Sequence, residues 1–292
     1  MPKNSPLGKI YHDFRIAKGF TQKEAASNTL SITQLSNFEL NKSMVTTDIF
    51  LALLDNIFVS LSEFQYVYHL TVRENKDYLS TKQQAFLSQN PVQLKNLIDQ
   101  YNKKISEDIP NKKNLLLEKI SVEALLSLID EDYNVSKNDI QFIKNHLSNT
   151  REWGEFEIRL LGHSGKALDL GTLSQLTYKM IDPKQRGLNN PSVCKMTYKA
   201  SLNILDLFIS QKQENLALGL ITHLENSGIS EYDLHEKIRF IYQKAHFEFA
   251  FGDKTAALEK MQQCQKIFEF SEAFDTAKIL MVEIKALKNS LE

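Results

Sequence analysis

The sequence predicts an all-α protein with two domains, a five-helix N-terminal module followed by a right-handed helical repeat. Three observations carry this. Gly and Pro are scarce, ten and six in 292 residues, which leaves room for long helices joined by short turns. Apolar residues recur at three- and four-residue spacing along most of the chain, and no segment shows the two-residue alternation of a half-buried strand. The breaks are short and carry turn residues: Asn90-Pro91, Pro110-Asn111, Asp182-Pro183, Ser227-Gly228 and Gly252-Asp253.

The N-terminal module opens at Ser5-Pro6, with Ser5 as cap and Pro6 at the first helical position. Leu7, Ile10, Phe14 and Ala17 then form one stripe, and Gly19 ends the helix in the left-handed conformation. Thr21 with Glu24 reads as a capping box, opening a short helix that carries Ala25 and Ala26. Ser31 caps the next helix, whose core face is Ile32, Leu35 and Phe38 and whose other face shows Thr33, Gln34, Ser36 and Asn37. Thr46 or Thr47 starts a fourth helix with Phe50, Leu51, Leu54 and Ile57 as its apolar side. Ser60 with Glu63 boxes a fifth, running through Phe64, Val67 and Tyr68. These helices predict a domain over residues 1–70, and the polar stretch 71–80 reads as a hinge.

Residues 81–292 read as a second domain of amphipathic helices: 80–88, 91–105, 112–131, 136–149, 152–163, 168–182, 192–211, 213–226, 231–251, 254–270 and 272–290. Ala245, Gly252, Asp253, Ala257, Met261 and Cys264 have the small-and-large spacing of a tetratricopeptide unit, and Ala217 lies 40 residues before Ala257. That spacing exceeds the ~34 residues of the regular unit, so the repeat is degenerate. Such stacks curve and offer a concave groove to a peptide.

Composition excludes several classes. A net charge of −1 rules out a uniformly basic nucleic-acid coat, yet residues 1–45 carry six cationic against three acidic side chains, a local +3. No segment has the ~18–20 apolar residues of a membrane span, and no membrane partner is expected. Cys194 and Cys264 lack a CxxC spacing, and a reduced, cytoplasmic protein with Cys194 as a buried thiol is the plain reading. The seven His include no HExxH, and GxGxxG, P-loop and GxSxG are absent, so neither enzyme, metal nor cofactor is expected.

Residues 7–64 resemble the helix-turn-helix domain of the lambda-repressor and Cro type, the XRE class. The likeness is carried by Arg15, Thr21-Gln22, Glu24, Ala26, Ser31, Leu35, Ser36 and Glu39. It implies a largely buried ion pair between Arg15 and Glu39, joining the first helix to the recognition helix. Two positions depart from many relatives: Asn37 stands where an Arg is common, and Asn41 where a Gly is common, although Asn also tolerates positive φ. Taken with the helical repeat and the Trp-centred segment Arg151 to Leu161, the whole chain resembles the Rgg/MutR branch of peptide-sensing regulators. That resemblance implies a homodimeric cytoplasmic transcription factor that binds operator DNA and a short hydrophobic peptide, with RNA polymerase as a further expected partner.

On this reading Thr33, Gln34 and Asn37 are candidate base readers, since Gln and Asn pair with adenine through two hydrogen bonds and a Thr methyl meets that of thymine. Gln22, Lys23, Ser36 and Lys42 are candidate backbone contacts. For the peptide the candidates are Arg151 and Arg159, whose guanidinium groups suit a terminal carboxylate. Asn203, Tyr242 and His246 join them, on helices that could line the groove. The competing readings are a solvated polar face in the first domain, with Gln34 completing a capping box on Ser31, and surface ion pairs in the second. Trp153 is expected in the core. The rival function is a helical-repeat interaction scaffold or anti-activator whose N-terminal module docks protein.

Overall fold

The structure is a computed structural model that describes residues 6–72, 81–107, 110, 112–130, 132–184 and 190–290. Every regular element among them is helical. The chain divides into two compact units, Met1–Gln84 and Ala85–Glu292. Most of the sequence-predicted hinge, residues 73–80, lies outside the described residues.

The first unit holds α1 (Leu7–Ala17), α2 (Gln22–Ala26), α3 (Ile32–Glu39), α4 (Thr47–Asn56) and α5 (Leu61–Val72). Pro6 occupies the cap position of α1 rather than its first turn, and Ser5 falls outside the description. Gly19 is left-handed, at φ 78°. Both expected boxes close: Thr21 accepts from the Glu24 amide while Glu24 accepts from that of Thr21, and Ser60 and Glu63 do the same. Ser31 and Gln34 close a third.

The core of this unit centres on aromatic rings. Phe50 and Phe64 meet edge to face at 4.8 Å between centroids, Phe38 lies 6.2 Å from Phe50, and Tyr11 lies 5.9 Å from Phe38. Three expected core positions are corrected. Ile32 is 47% exposed, because steps of three residues lag the helical period by about 60° each and carry the stripe off the core face. Leu51 is exposed and Leu53 is buried in its place, one turn after Phe50. Ala17 is exposed, and Tyr11 is fully buried with its hydroxyl donating to the Leu53 carbonyl at 3.1 Å. Gly8 lets α1 and α3 touch by backbone: a Cβ there would lie 1.8 Å from the Phe38 carbonyl oxygen.

Element α6 (Thr81–Leu87) spans the boundary between units, its Ala85 packing with Leu94, Ile98, Val122, Leu125 and Leu126. Those residues belong to the hairpin α7 (Pro91–Ser106) and α8 (Lys112–Ile129), which is followed by α9 (Lys137–Asn149) and α10 (Glu155–Ser164). A 3₁₀ turn leads to α11 (Leu170–Met180), then α12 (Pro191–Ser210), α13 (Glu214–Ser227), α14 (Leu234–Phe251), α15 (Lys254–Phe270) and α16 (Phe274–Asn289). Asn90 and Asn190 cap α7 and α12, each with Pro at the first helical position. Gly162 brings α10 against α12, where an added Cβ would stand 3.1 Å from that of Ala200.

The helix expected over 152–163 starts later, at Glu155, because Gly154 takes the cap and Glu157 accepts its amide. Trp153 therefore precedes the helix. It is 2% exposed, its indole donates to the Leu147 carbonyl at 3.2 Å, and the Lys179 ammonium covers its ring. The small-and-large pattern does build a helix pair: Ala245, Ala257, Met261 and Cys264 share one core, and Asp253 caps α15 through the Thr255 and Ala256 amides. Cys194 is a correction. It is exposed, because Val193, Thr197 and Tyr198 mark the buried face of α12 and position 194 lies to one side of it.

Candidate functional sites

In the first unit, α2 and α3 are joined by a turn whose Ser27 has φ 43°. Asn56 of α4 fixes that turn, donating to the Ala25 carbonyl at 2.9 Å and the Thr29 hydroxyl at 3.1 Å. Arg15 reaches across from α1: its Nε and Nη2 meet the two carboxylate oxygens of Glu39, at 2.5 and 2.8 Å, and its Nη1 meets the Phe20 carbonyl at 2.8 Å. Both side chains are almost wholly buried. Hydrogen bonding to Glu39 holds the guanidinium pKa above its ordinary range, against the effect of burial. The sequence did not foretell the third member. Gln22 also donates to Glu39, at 2.8 Å, so one side-chain amide of the expected phosphate contact is already committed.

Around this clamp the face of α3 is open. Thr33 and Gln34 are exposed, and Ser36 and Asn37 are half-buried. The Gln34 carbonyl accepts from both the amide and the hydroxyl of Ser31, so two-bond pairing with adenine requires that cap to open. Gln22 and Ser36 share a cleft of about 470 Å³ with Lys9, His12 and Asp13, while Lys23 and Lys42 lie exposed. Asn41 takes φ 56° and its side chain accepts the Gly8 amide at 3.2 Å, so Asn does here what a Gly could not.

In the second unit, a polar seam joins α12 to α14. Lys195 pairs with Asp233, Lys199 with Glu236 at 3.0 Å, Asn203 accepts from Arg239 at 3.2 Å, and Asp206 accepts from Gln243 at 3.3 Å. The α12 members follow at steps of four, four and three, one helical face, and their partners ascend in the same order. The two helices are therefore parallel, as alternate helices of a repeat must be. The seam continues to α16, where His246 Nδ1 lies 3.4 Å from Asp206 and 3.3 Å from Glu283. Burial pushes the Tyr242 hydroxyl pKa far up, and the nearby Glu283 adds to the effect. Burial likewise holds the Arg239 guanidinium below its ordinary range and raises the Glu283 carboxyl, with Asp206 adding to the latter.

This seam gathers three of the five expected peptide contacts, Asn203, Tyr242 and His246. The other two stand apart from it: Arg151 is exposed ahead of α10, and Arg159 is half-buried on α10. Sequence reasoning missed Asp206, Arg239, Gln243 and Glu283. The signal was available only as helical phase, each residue facing a counterpart roughly one repeat away. At the other end of the seam, a cavity of about 500 Å³ opens beside Lys195, Asp233 and Glu236. Ile181, Leu224 and Ile229 supply apolar wall, and the buried hydroxyls of Thr197, Tyr198 and Ser201 line it without hydrogen-bond partners among the described residues.

Residues 94–289 match the family described as HTH-type transcriptional regulator Rgg, C-terminal domain. This chain belongs to the Rgg family. Solved structures agree with that fold over almost the full length. The SHP pheromone receptor Rgg2 of Streptococcus dysgalactiae is similar at TM-score 0.78 and 23% identity, over 96% of this chain and 99% of that one. A putative transcriptional regulator from Listeria monocytogenes EGD-e is similar at TM-score 0.80 and 16% identity, over 97% of each chain. PrgX in its complex with iCF10 is similar at TM-score 0.72 and 12% identity, over 98% of this chain and 97% of that one. The Rgg fold therefore covers both the helix-turn-helix unit and the helical repeat. No helix among the described residues is long and apolar enough to cross a membrane.

Proposed function

We propose that this Rgg-family protein is a cytoplasmic transcription regulator that binds operator DNA as a homodimer and is switched by a short hydrophobic peptide. The observation that carries the reading is the polar seam of α12 and α14, ending at an apolar cavity, in a chain whose other unit presents an open recognition helix. Extended peptides need partners for backbone amides and pockets for alternate side chains. Asn203 and Arg239 supply the first, one amide and one guanidinium on facing helices. The cavity beside Lys195 takes a large apolar side chain. The similarity to a pheromone receptor and to a bacterial peptide pheromone/receptor complex supports the same ligand class.

Thr33 and Asn37 read bases, Lys23, Lys42 and Ser36 hold the backbone, and Gln22 positions Glu39 and the end of α3. A dimer places two such helices on half-sites about 34 Å apart or a multiple of it. The peptide acts by binding one dimer arrangement more tightly than another. RNA polymerase is the further partner such a regulator meets at a promoter.

Fluorescence anisotropy with fragments of the promoters around its own gene tests this, run with and without synthetic peptides from adjacent short reading frames. Operator binding that shifts at least about tenfold with one peptide is the expected result. The scaffold alternative predicts that Thr33→Ala with Asn37→Ala leaves regulation in cells intact at unchanged protein level.

A further inference from the structure

The geometry points to a divalent transition-metal site formed by Asp206, His246 and Glu283, one ligand from each of α12, α14 and α16. The ligand atoms of the three residues lie within 4.8 Å of one another, and His246 Nδ1 stands 3.4 Å from an Asp206 oxygen and 3.3 Å from a Glu283 oxygen. Zinc bonds to nitrogen and oxygen of about 2.0–2.2 Å, opened to the tetrahedral angle, separate neighbouring ligands by about 3.3–3.5 Å. Both nitrogen–oxygen edges fall on that value, longer than a good hydrogen bond and right for two ligands sharing an ion.

A second observation points the same way. His246 is 8% exposed and its Nδ1 has no hydrogen-bond partner among the described residues, although it faces two carboxylates. A buried ring nitrogen that faces two acidic oxygens without hydrogen-bonding to either is placed to share a cation with them. The flanking residues orient the ligands. Gln243 donates to Asp206 at 3.3 Å, and Tyr242 stands against Glu283. An imidazole among the ligands favours zinc or a similar borderline ion over magnesium or calcium. Three protein ligands leave the fourth tetrahedral position to water. The ion's role is to clip three successive parallel helices together, fixing the pitch of the repeat, and this stands independently of any peptide.

The test uses the full chain with Cys194→Ser and Cys264→Ser, so that thiols cannot supply the ligands, stripped of metal and titrated with zinc against a chromophoric chelator. One zinc per protomer is expected, with a visible ligand-field spectrum when cobalt replaces it and no uptake of magnesium or calcium. His246→Gln and Glu283→Gln should each weaken zinc at least about tenfold while helicity by circular dichroism is unchanged. Two carboxylate variants guard against a misfolded His246→Gln, since Asp206→Asn should weaken zinc as Glu283→Gln does. No zinc uptake by the thiol-free chain overturns the proposal. Uptake that survives His246→Gln and Glu283→Gln overturns it equally.

Discussion

Arg15 and Glu39 lie 24 residues apart and share two hydrogen bonds in a place where water scarcely reaches either. Glu39→Ala leaves Arg15 charged and buried with only the Phe20 carbonyl, and it also releases Gln22. Urea denaturation should read a loss of about 3–5 kcal/mol from the first unit. Replacing both Arg15 and Glu39 with Met should restore most of it, because the larger part of that loss is the stranded charge. Gly8→Ala tests a different physics. Its Cβ would enter the Phe38 carbonyl, so α1 must withdraw from α3 at a cost of about 1–3 kcal/mol, read as a lower first melting transition. Neither Gly8 nor Tyr11 was legible in the sequence as a packing residue, since each depends on what the third helix brings alongside. Asn41 was legible, because tolerance of positive φ belongs to the residue itself.

Three helix starts in the first unit, those of α2, α3 and α5, rest on side-chain capping boxes, whereas α1 and α4 start without one, and two of the boxes close through carboxylates. Glu24 and Glu63 both have pKa values below the ordinary 4.5, for hydrogen bonds from Thr21 and from Ser60. A folded value lower than the unfolded one means that each cap contributes fully above the ordinary value and is lost as pH falls through the folded one. Protection factors of the amides of residues 21–26, taken against the intrinsic exchange rate at each pH, should therefore fall on acidification below about pH 4.5, and Glu24→Gln should flatten that response. On α3, Thr33→Ala and Asn37→Ala should each weaken operator binding by about 1–3 kcal/mol without altering melting. Lys42→Ala should lower the salt slope of binding by about 0.9, reporting one phosphate contact fewer. Caps were readable because their partners sit three residues apart. The exposure of Ile32 and Cys194 was not, since a helical stripe says which residues share a face and leaves open how far along it the neighbouring element reaches.

At the scale of the whole chain, composition and periodicity defined an all-helical protein, and helix limits came within a few residues of those observed. The polar seam is another matter. Asp206, His246 and Glu283 are 40 and 37 residues apart, roughly one repeat each, so only stacking of successive helix pairs brings them together. Asn203→Ala should leave operator binding without peptide unchanged and reduce the peptide's effect at least about tenfold, measured by anisotropy on the same fragment. Arg159→Ala, from a helix outside the seam, is the matched control and should change that effect less than Asn203→Ala does.

Because every rung of the seam is already occupied, an incoming chain cannot simply add contacts; it must swap them. Freeing Asn203 takes from the half-buried Arg239 its hydrogen bond to that amide and leaves it an open donor beside the charges of Asp206, Glu236 and Glu283. Molecules that carry their own anion can take up that freed donor, and those without one bind less well. Selectivity thus follows from a debt the receptor imposes, and amidating a peptide's terminal carboxylate should weaken it far more than trimming an aliphatic side chain.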